Sequence, residues 1–228
     1  LRVPWSSVLL IAWVGGASLR LTWLALLFAQ IRRLTRRSRQ IDDEPRALLV
    51  RSVRNELQIR RPVRLLSSSQ VSMPVAWGVF RPVVILPDAA VDWPDDRLRV
   101  VLLHELSHIR RWDYLTSLVT EAACAIYWPV PLVWLARRHA RIEQERACDD
   151  RVLATGTGSL EYAEHLLAIA RAFYGERLDF GLAVAVAREA SLKHRIRAIL
   201  DGNVDRRPMR SGRGLALAIV LVSIALLV

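Results

Sequence analysis

Cysteine and lysine are both scarce in this chain, which has two cysteines and a single lysine among its 228 residues. Two cysteines cannot form the disulfide framework of a small secreted domain, and Cys124 and Cys148 lie in segments with a helical pattern, so we expect reduced thiols on a cytosolic side. No nucleic-acid-binding motif accompanies the net charge of +11, and the arginines are concentrated beside apolar stretches. We therefore assign this charge to membrane flanks and expect no direct nucleic-acid partner.

Apolar residues make up 53% of the sequence although 24% of it is charged, which indicates that membrane and aqueous segments alternate. Residues 3–31 carry one charge, at Arg20, and predict a transmembrane helix over residues 1–31. Arginines follow this run directly and also precede a second apolar run, residues 214–228, which is shorter than the ~20 residues that a span needs. We expect residues 214–228 to begin a truncated transmembrane helix. The positive-inside rule then places residues 32–213 on the cytoplasmic side, in a piece of a larger multi-pass membrane protein whose other transmembrane helices are missing here.

The segment between the two apolar runs predicts a mostly helical α+β domain. An amphipathic helix over residues 45–60 precedes three short β-rich runs that prolines interrupt, at residues 63–69, 75–79 and 83–86. They predict a small sheet whose edge either pairs with an extended substrate or only supports the core. A helix-start signal follows, with Asp92 as the expected cap, and predicts a helix that runs to about Trp112.

The second half of the domain is predicted to be helical. Residues 114–135 are apolar, and a full membrane crossing there would place the arginines that follow on the wrong side, so we expect a buried or membrane-interfacial helix. Further helices are expected over residues 131–154, 159–174 and 188–200, with a loop over residues 175–187.

His104, Glu105 and His108 form a His-Glu-x-x-His pattern within the helix predicted before Trp112. Residues four apart share one face of a helix, so both imidazoles can bind one zinc ion with Glu105 beside them. A third protein ligand would leave an open position for a water, whose proton Glu105 would accept and pass to the departing amine. The alternative is a chance pair of histidines on an ordinary buried helix.

The third ligand should be a carboxylate or histidine on a different helix, and spacing alone does not choose among the candidates. Glu145 and Asp149 share a helix face, which offers one carboxylate for zinc and another to hold a ligand histidine by its second nitrogen. A solvated charged face is the alternative for this pair. The candidates are Glu121, His139, Glu143, Glu145, Asp149, Asp150, Glu161, Glu164 and His165.

An ordered set of motifs resembles the BlaR/MecR-type family of bacterial membrane metallopeptidases. The motifs are PVAWGVFRP at 74–82 with ILP at 85–87, HELSHIRRWDY at 104–114, YW at 127–128 with PLVW at 131–134, and ERACD at 145–149. The resemblance implies a zincin-like fold with zinc bound by His104, His108 and Glu145, with Glu105 as the base and Asp149 as a supporting carboxylate. It also implies a location among transmembrane helices of the bacterial inner membrane, with the site facing the cytoplasm.

Three functions remain open at this point. The leading hypothesis is a zinc endopeptidase that cleaves a cytoplasmic regulatory protein, such as a transcriptional repressor, or itself, as in β-lactam-resistance antirepression. A membrane quality-control protease of the heat-shock type would share the zinc chemistry and degrade misfolded membrane proteins. A signalling scaffold with a purely structural zinc is the third, although such a site has no use for Glu105.

Overall fold

A single long helix, α1 (Trp5–Arg37), begins the part of the chain that the computed structural model describes, residues 4–176 and 192–201. None of its residues is buried, and it is the one described helix that is long and apolar enough to cross a membrane. The sequence predicts a helix over residues 1–31, and the described helix continues through the arginines to Arg37. The basic flank is therefore helical as well.

A small sheet follows α1, in agreement with the β-rich pattern. Among the described residues it has four strands: β1 (Arg39–Gln40), β2 (Arg64–Ser68), β3 (Val75–Trp77) and β4 (Val83–Pro87). Their order is β1-β2-β4-β3, where β2 and β4 are parallel and the other pairs are antiparallel. Every residue of the inner strand β4 is buried, which explains its continuous apolar sequence. Strand β1 was not predicted, because two residues are too few for an alternating pattern.

The hydrophobic core contains residues of this sheet and of two helices that pack against it, α2 (Glu44–Glu56) and α3 (Asp95–Arg111), and it extends into the helices that follow. Val53 of α2, Val84 of β4 and Leu102 of α3 are completely buried there. A 3₁₀ turn at Asp88–Asp92 leads into α3. The predicted cap at Asp92 was wrong, because Pro94 occupies the cap position without a side-chain hydrogen bond. Asp95 and Asp96 lie in the first turn instead and complement the helix dipole.

The apolar residues 114–135 are not one helix. Helix α4 (Asp113–Ile126) ends before a turn that contains Pro129, and α5 (Pro131–Ala154) returns antiparallel to it. The turn follows from the two prolines, because each disfavours helical geometry in the residue before it. The helix predicted over residues 131–154 is confirmed.

Two more helices complete the described structure. Helix α6 spans Ser159–Glu176 and runs two residues beyond the predicted end, and α7 occupies residues 192–200 within the predicted basic helix. The predicted loop from residue 177 onward and the apolar run 214–228 lie outside the described residues. The mostly helical α+β class with a small sheet is confirmed, while the zincin-like classification stays a prediction.

Candidate metal centre

Helix α3 holds His104 and His108 with their rings side by side. The ring centroids are 5.0 Å apart and the ring planes meet at 84°. The helix has this position because Leu98, Leu102 and Leu106 on its other faces are completely buried in the core. His104 is consequently buried and His108 is half-buried. Both imidazoles face the space between α3 and α5.

Glu145 reaches both imidazoles from α5. Its Oε2 lies 3.6 Å from Nε2 of His104, and its Oε1 lies 3.9 Å from Nε2 of His108. One donor atom from each of the three residues falls within 4.8 Å of the other two. Donors around a tetrahedral zinc ion, with bonds of about 2.0–2.2 Å, lie about 3.3–3.6 Å apart, so these side chains fit such an ion after small movements.

The second nitrogen of each histidine faces a carboxylate. Nδ1 of His108 lies 2.9 Å from Oδ2 of Asp113, and Nδ1 of His104 lies 3.3 Å from Oδ1 of Asp149 and 3.0 Å from the Tyr162 hydroxyl. A histidine that donates its Nδ1–H keeps the Nε2 lone pair free for a metal. Both rings are therefore oriented to bind a metal through Nε2, on the side where Glu145 lies.

Asp113 reaches His108 because the chain reverses at Trp112. Trp112 ends α3 and precedes α4 with φ 61°, in the left-handed region, a conformation that costs a residue other than glycine of the order of 1 kcal/mol. The Arg61 guanidinium lies 3.6 Å from the centroid of the Trp112 ring and donates a hydrogen bond to the Ile109 carbonyl at the helix end. These contacts hold the reversed conformation.

Arg195 of α7 joins the centre from a distant part of the chain. Its Nε and Nη2 donate to the two carboxylate oxygens of Asp149 at 2.9 and 2.7 Å, and its Nη1 lies 2.9 Å from Oε2 of Glu145. Tyr162 of α6 donates a 2.6 Å hydrogen bond to the same Asp149. One guanidinium thus pairs with two carboxylates and compensates part of their negative charge.

These contacts shift the pKa values of the charged groups. Burial alone would lower the pKa of His104, but its bonds with Asp149 and Glu145 outweigh burial and raise the pKa to about 9. Burial would raise the pKa of Glu145, but His104 and Arg195 lower it to about 2. The pKa of Asp149 is lowered against burial by His104 and Arg195. In this network both carboxylates are ionised.

Glu105 and Cys148 are neighbours of the candidate ligands, the first along the chain and the second in space. Glu105 is half-buried on α3, next to His104 along the chain. Cys148 is completely buried, with its Sγ 3.3 Å from Nδ1 of His108 and 3.7 Å from Oδ2 of Asp113. Burial raises the pKa of the Cys148 thiol well above its usual value, so it is a protonated neighbour of the Asp113–His108 pair.

The other candidates for the third ligand are placed elsewhere or have other partners. Glu121 pairs with Arg137, and Glu143 pairs with Arg146. Glu161 and His165 lie near Asp96 in a separate group of donors. Of the candidates, Glu145 alone shares a described donor group with both His104 and His108.

Arg195, Tyr162 and Asp113 were not among the residues that the sequence predicted for the site. The residues around Arg195 are also basic, so its charge does not single it out. No periodicity links it to Asp149, 46 residues earlier in the chain. The position of Asp113 could have indicated its role, because an acid directly after a predicted helix end can fold back onto the last turn, where His108 lies.

A narrow cleft opens beside His108. It lies between β3, which is an edge strand of the described sheet, and the end of α3, with the start of α4 beyond. Its wall includes Arg61, Trp77, Gly78, His108, Trp112 and Leu115. An extended backbone segment placed against β3 would therefore pass the candidate metal centre.

Comparison with known proteins agrees with the motifs. The sequence model of the family described as BlaR1 peptidase M56 matches residues 2–199. The chain is 30% identical over 145 residues to "Regulatory protein BlaR1" of Bacillus licheniformis, and the aligned region covers 63% of this chain and 24% of that protein. It is 21% identical over 225 residues to "Methicillin resistance mecR1 protein" of Staphylococcus aureus, which covers 97% of this chain and 38% of that protein. The resemblance to the BlaR/MecR-type family is confirmed, and the chain spans well under half the length of these two relatives.

Proposed function

Because this chain belongs to the BlaR1 peptidase M56 family, we propose that it is the zinc peptidase part of a membrane signalling protein. The observation that carries the proposal is the arrangement of His104, His108 and Glu145, whose donor atoms lie within 4.8 Å of one another. Two histidines and a glutamate are the ligands of many zinc peptidases, and they leave one coordination position open.

The chemistry is divided between the ion and the protein. A zinc ion in this position supplies Lewis acidity, which activates water and polarises a peptide carbonyl. His104 and His108 bind it through Nε2 while Asp149 and Asp113 hold their Nδ1–H groups. Glu105 accepts the proton of the attacking water on its carboxylate and returns it to the amine nitrogen as the peptide bond breaks.

The substrate backbone is proposed to bind along the cleft beside His108. Strand β3 has a free edge in the described sheet, and its Val75 is exposed. A substrate strand that adds to this edge would gain main-chain hydrogen bonds independent of its side chains. This supports an endopeptidase that takes an extended segment of a protein.

The location follows from α1. It is apolar over most of its length, has no buried residue, and ends in a turn that contains Arg36 and Arg37. These features support a membrane span with its arginine-rich end in the cytoplasm, so the metal centre would face the cytoplasm too. The substrate would be a cytoplasmic regulatory protein or the chain itself, in keeping with the words "regulatory" and "methicillin resistance" in the names of the relatives.

The test compares the wild-type protein with Glu105→Gln, His108→Ala and Glu145→Ala in liposomes. We expect about one zinc per chain in the wild type and in Glu105→Gln, and strongly reduced zinc in the other two. New amino termini, mapped by mass spectrometry in the chain and in cytoplasmic proteins of the expressing cells, should appear with the wild type only.

The outcomes separate the alternatives. Cleavage that survives Glu105→Gln would refute the assigned base, and zinc that survives Glu145→Ala would refute the third ligand. Many unrelated membrane proteins among the cleaved set would indicate quality control, whereas one or two defined sites support regulation. Zinc bound in a closed four-ligand site without any cleavage would indicate the scaffold.

A further inference from the structure

The turn between α4 and α5 exposes a concentration of large apolar side chains. Residues 122–136, called here the hairpin tip, contain no charged residue. Their exposed members include Leu132, 71% accessible, and Leu135, 49% accessible, together with Ile126, Trp128 and Val130. A protein surface in water seldom concentrates so many exposed large apolar side chains without a partner.

Several polar groups at the hairpin tip have hydrogen-bond partners within the protein. The indole N–H of Trp13 donates to the Ile126 carbonyl at the end of α4 (2.9 Å), and that of Trp134 donates to the Trp128 carbonyl (3.1 Å). The amide of Tyr127 donates to Ala123, and that of Val130 donates to Tyr127. Carbonyls at a helix end in water need no such partners, whereas in hydrocarbon each unpaired group costs several kcal/mol.

The hairpin tip is continuous with α1, the candidate membrane span. Trp128 donates its indole N–H to the Trp13 carbonyl of α1. Its ring lies against Gly16, where a β-carbon would approach within 2.4 Å of the indole. Deeper in the hairpin, the Arg20 guanidinium lies 4.5 Å from the centroid of the Trp134 ring. The exposed apolar faces of α1 and of the tip therefore form one surface.

The first charged residues on the two arms of the hairpin lie opposite each other. Glu121 of α4 and Arg137 of α5 are the charged residues that border the tip, and they form an ion pair with each other. Arg137 lies six residues after Pro131, which is ~9 Å along a helix. The uncharged tip is thus a short element of defined depth, far less than the ~30 Å of a bilayer core.

We propose that the hairpin tip inserts into the hydrocarbon of the lipid bilayer beside α1 as a re-entrant element that does not cross. The Glu121–Arg137 pair borders the uncharged tip on the side of the metal centre. Glu145 follows Arg137 by eight residues on the same helix, so the metal centre stands ~12 Å beyond this pair. The hairpin connects two parts of the centre, because Asp113, which holds His108, begins one arm and Glu145 lies on the other. The membrane therefore holds the centre close to its surface.

The test measures the immersion depth of single nitroxide labels in liposomes of phosphatidylethanolamine and phosphatidylglycerol. Labels are attached at Leu132→Cys in the tip, at His139→Cys further along α5, and at Leu160→Cys on α6. Leu160 is the matched control, because it is an apolar helix residue with 65% accessibility, close to the 71% of Leu132. Native Cys124 and Cys148 are buried, at 1% and 0%, so the unsubstituted chain should take up little label.

Collisions with oxygen, which concentrates in hydrocarbon, are compared with collisions with a water-soluble nickel chelate. We expect collisions with oxygen to be the more frequent for the label at Leu132 and to be less favoured at His139. At Leu160 we expect collisions with the nickel chelate to be the more frequent. Nickel collisions as frequent at Leu132 as at Leu160 would overturn the proposal, because the tip would be in water. Exclusion of both reagents from Leu132 would also overturn it, because another protein segment would cover the tip. Neither readout requires zinc or peptidase activity.

Discussion

At the residue scale, the candidate centre depends on pairs in which a carboxylate holds an imidazole. Asp113 holds His108 and Asp149 holds His104, and each carboxylate faces Nδ1 so that Nε2 points towards Glu145. The two carboxylates differ in the hydrogen bonds that they receive from other residues. Asp149 receives three further hydrogen bonds from Tyr162 and Arg195, while Asp113 has the weaker contacts of Arg111 and Cys148.

Replacing Asp113 by Asn should weaken zinc binding by about 10- to 100-fold, because the imidazole of His108 would lose the charge that orients it and increases its basicity. The zinc dissociation constant, measured by competition with a chromophoric chelator, tests this. Glu143→Gln is the control, since Glu143 is a partly exposed acid on α5 that pairs with Arg146. Equal zinc affinity in the Asp113 variant and the wild type would show that His108 is oriented without it.

Replacing Arg195 by Met should destabilise the metal-free protein by about 3–5 kcal/mol, because Asp149 and Glu145 would lose the positive charge that compensates their desolvation. The comparison is Arg99→Met, which breaks a partly exposed pair with Glu56 and should cost about 0–1 kcal/mol. Thermal unfolding in detergent with a chelator present measures both. Similar shifts for the two variants would mean that the Arg195 network contributes no more than a surface ion pair.

At the element scale, local sequence patterns predicted those features that depend on residues close together in the chain. His104 and His108 could be assigned because four residues along a helix fix their relation. The sheet could be anticipated because prolines and β-branched residues mark its strands. The turn at residues 126–131 was merged into one apolar stretch, since hydrophobicity continues through it and only Pro129 and Pro131 indicate the reversal. Arg195 could not be found, because the packing of α7 on α5 has no periodic signal.

Substitutions at two adjacent glycines of α1 test its contact with the hairpin. Gly16→Ala should destabilise the protein by about 1–3 kcal/mol, because the new methyl group overlaps the Trp128 ring. Gly15→Ala should be neutral or stabilising by up to about 1 kcal/mol, because nothing lies within 4 Å of the added carbon and alanine favours the helix. Thermal unfolding in liposomes, followed by circular dichroism, compares them. A larger loss for the Gly15 variant would contradict the observed packing of α1.

At the scale of the whole molecule, the metal centre joins parts that the chain keeps apart. Helix α3 supplies two of the three candidate ligands, and the third lies on α5, which the chain reaches only after the α4–α5 hairpin. Helices α6 and α7 add Tyr162 and Arg195 to the same carboxylate. An ion at this place would therefore add a further connection between α3 and α5, which already meet through the contacts of His104 with Glu145 and Asp149.

Zinc should consequently stabilise the whole fold. An ion that binds only the native state adds about 2.7 kcal/mol when its free concentration is 100 times the dissociation constant. We expect the unfolding midpoint to fall when a chelator removes zinc, by the same amount in the wild type and in Glu105→Gln, whose substitution leaves the ligands intact. In His108→Ala the chelator should have little effect.

The second donor group supplies the informative control for this experiment. Asp96, Glu161 and His165 also bring donor atoms within 4.8 Å of one another, so a zinc effect could in principle arise there. His165→Ala should therefore leave the chelator effect unchanged, while His108→Ala removes it. The reverse pattern would place the stabilising ion between α3 and α6, and the peptidase assignment of His104, His108 and Glu145 would lose its thermodynamic support.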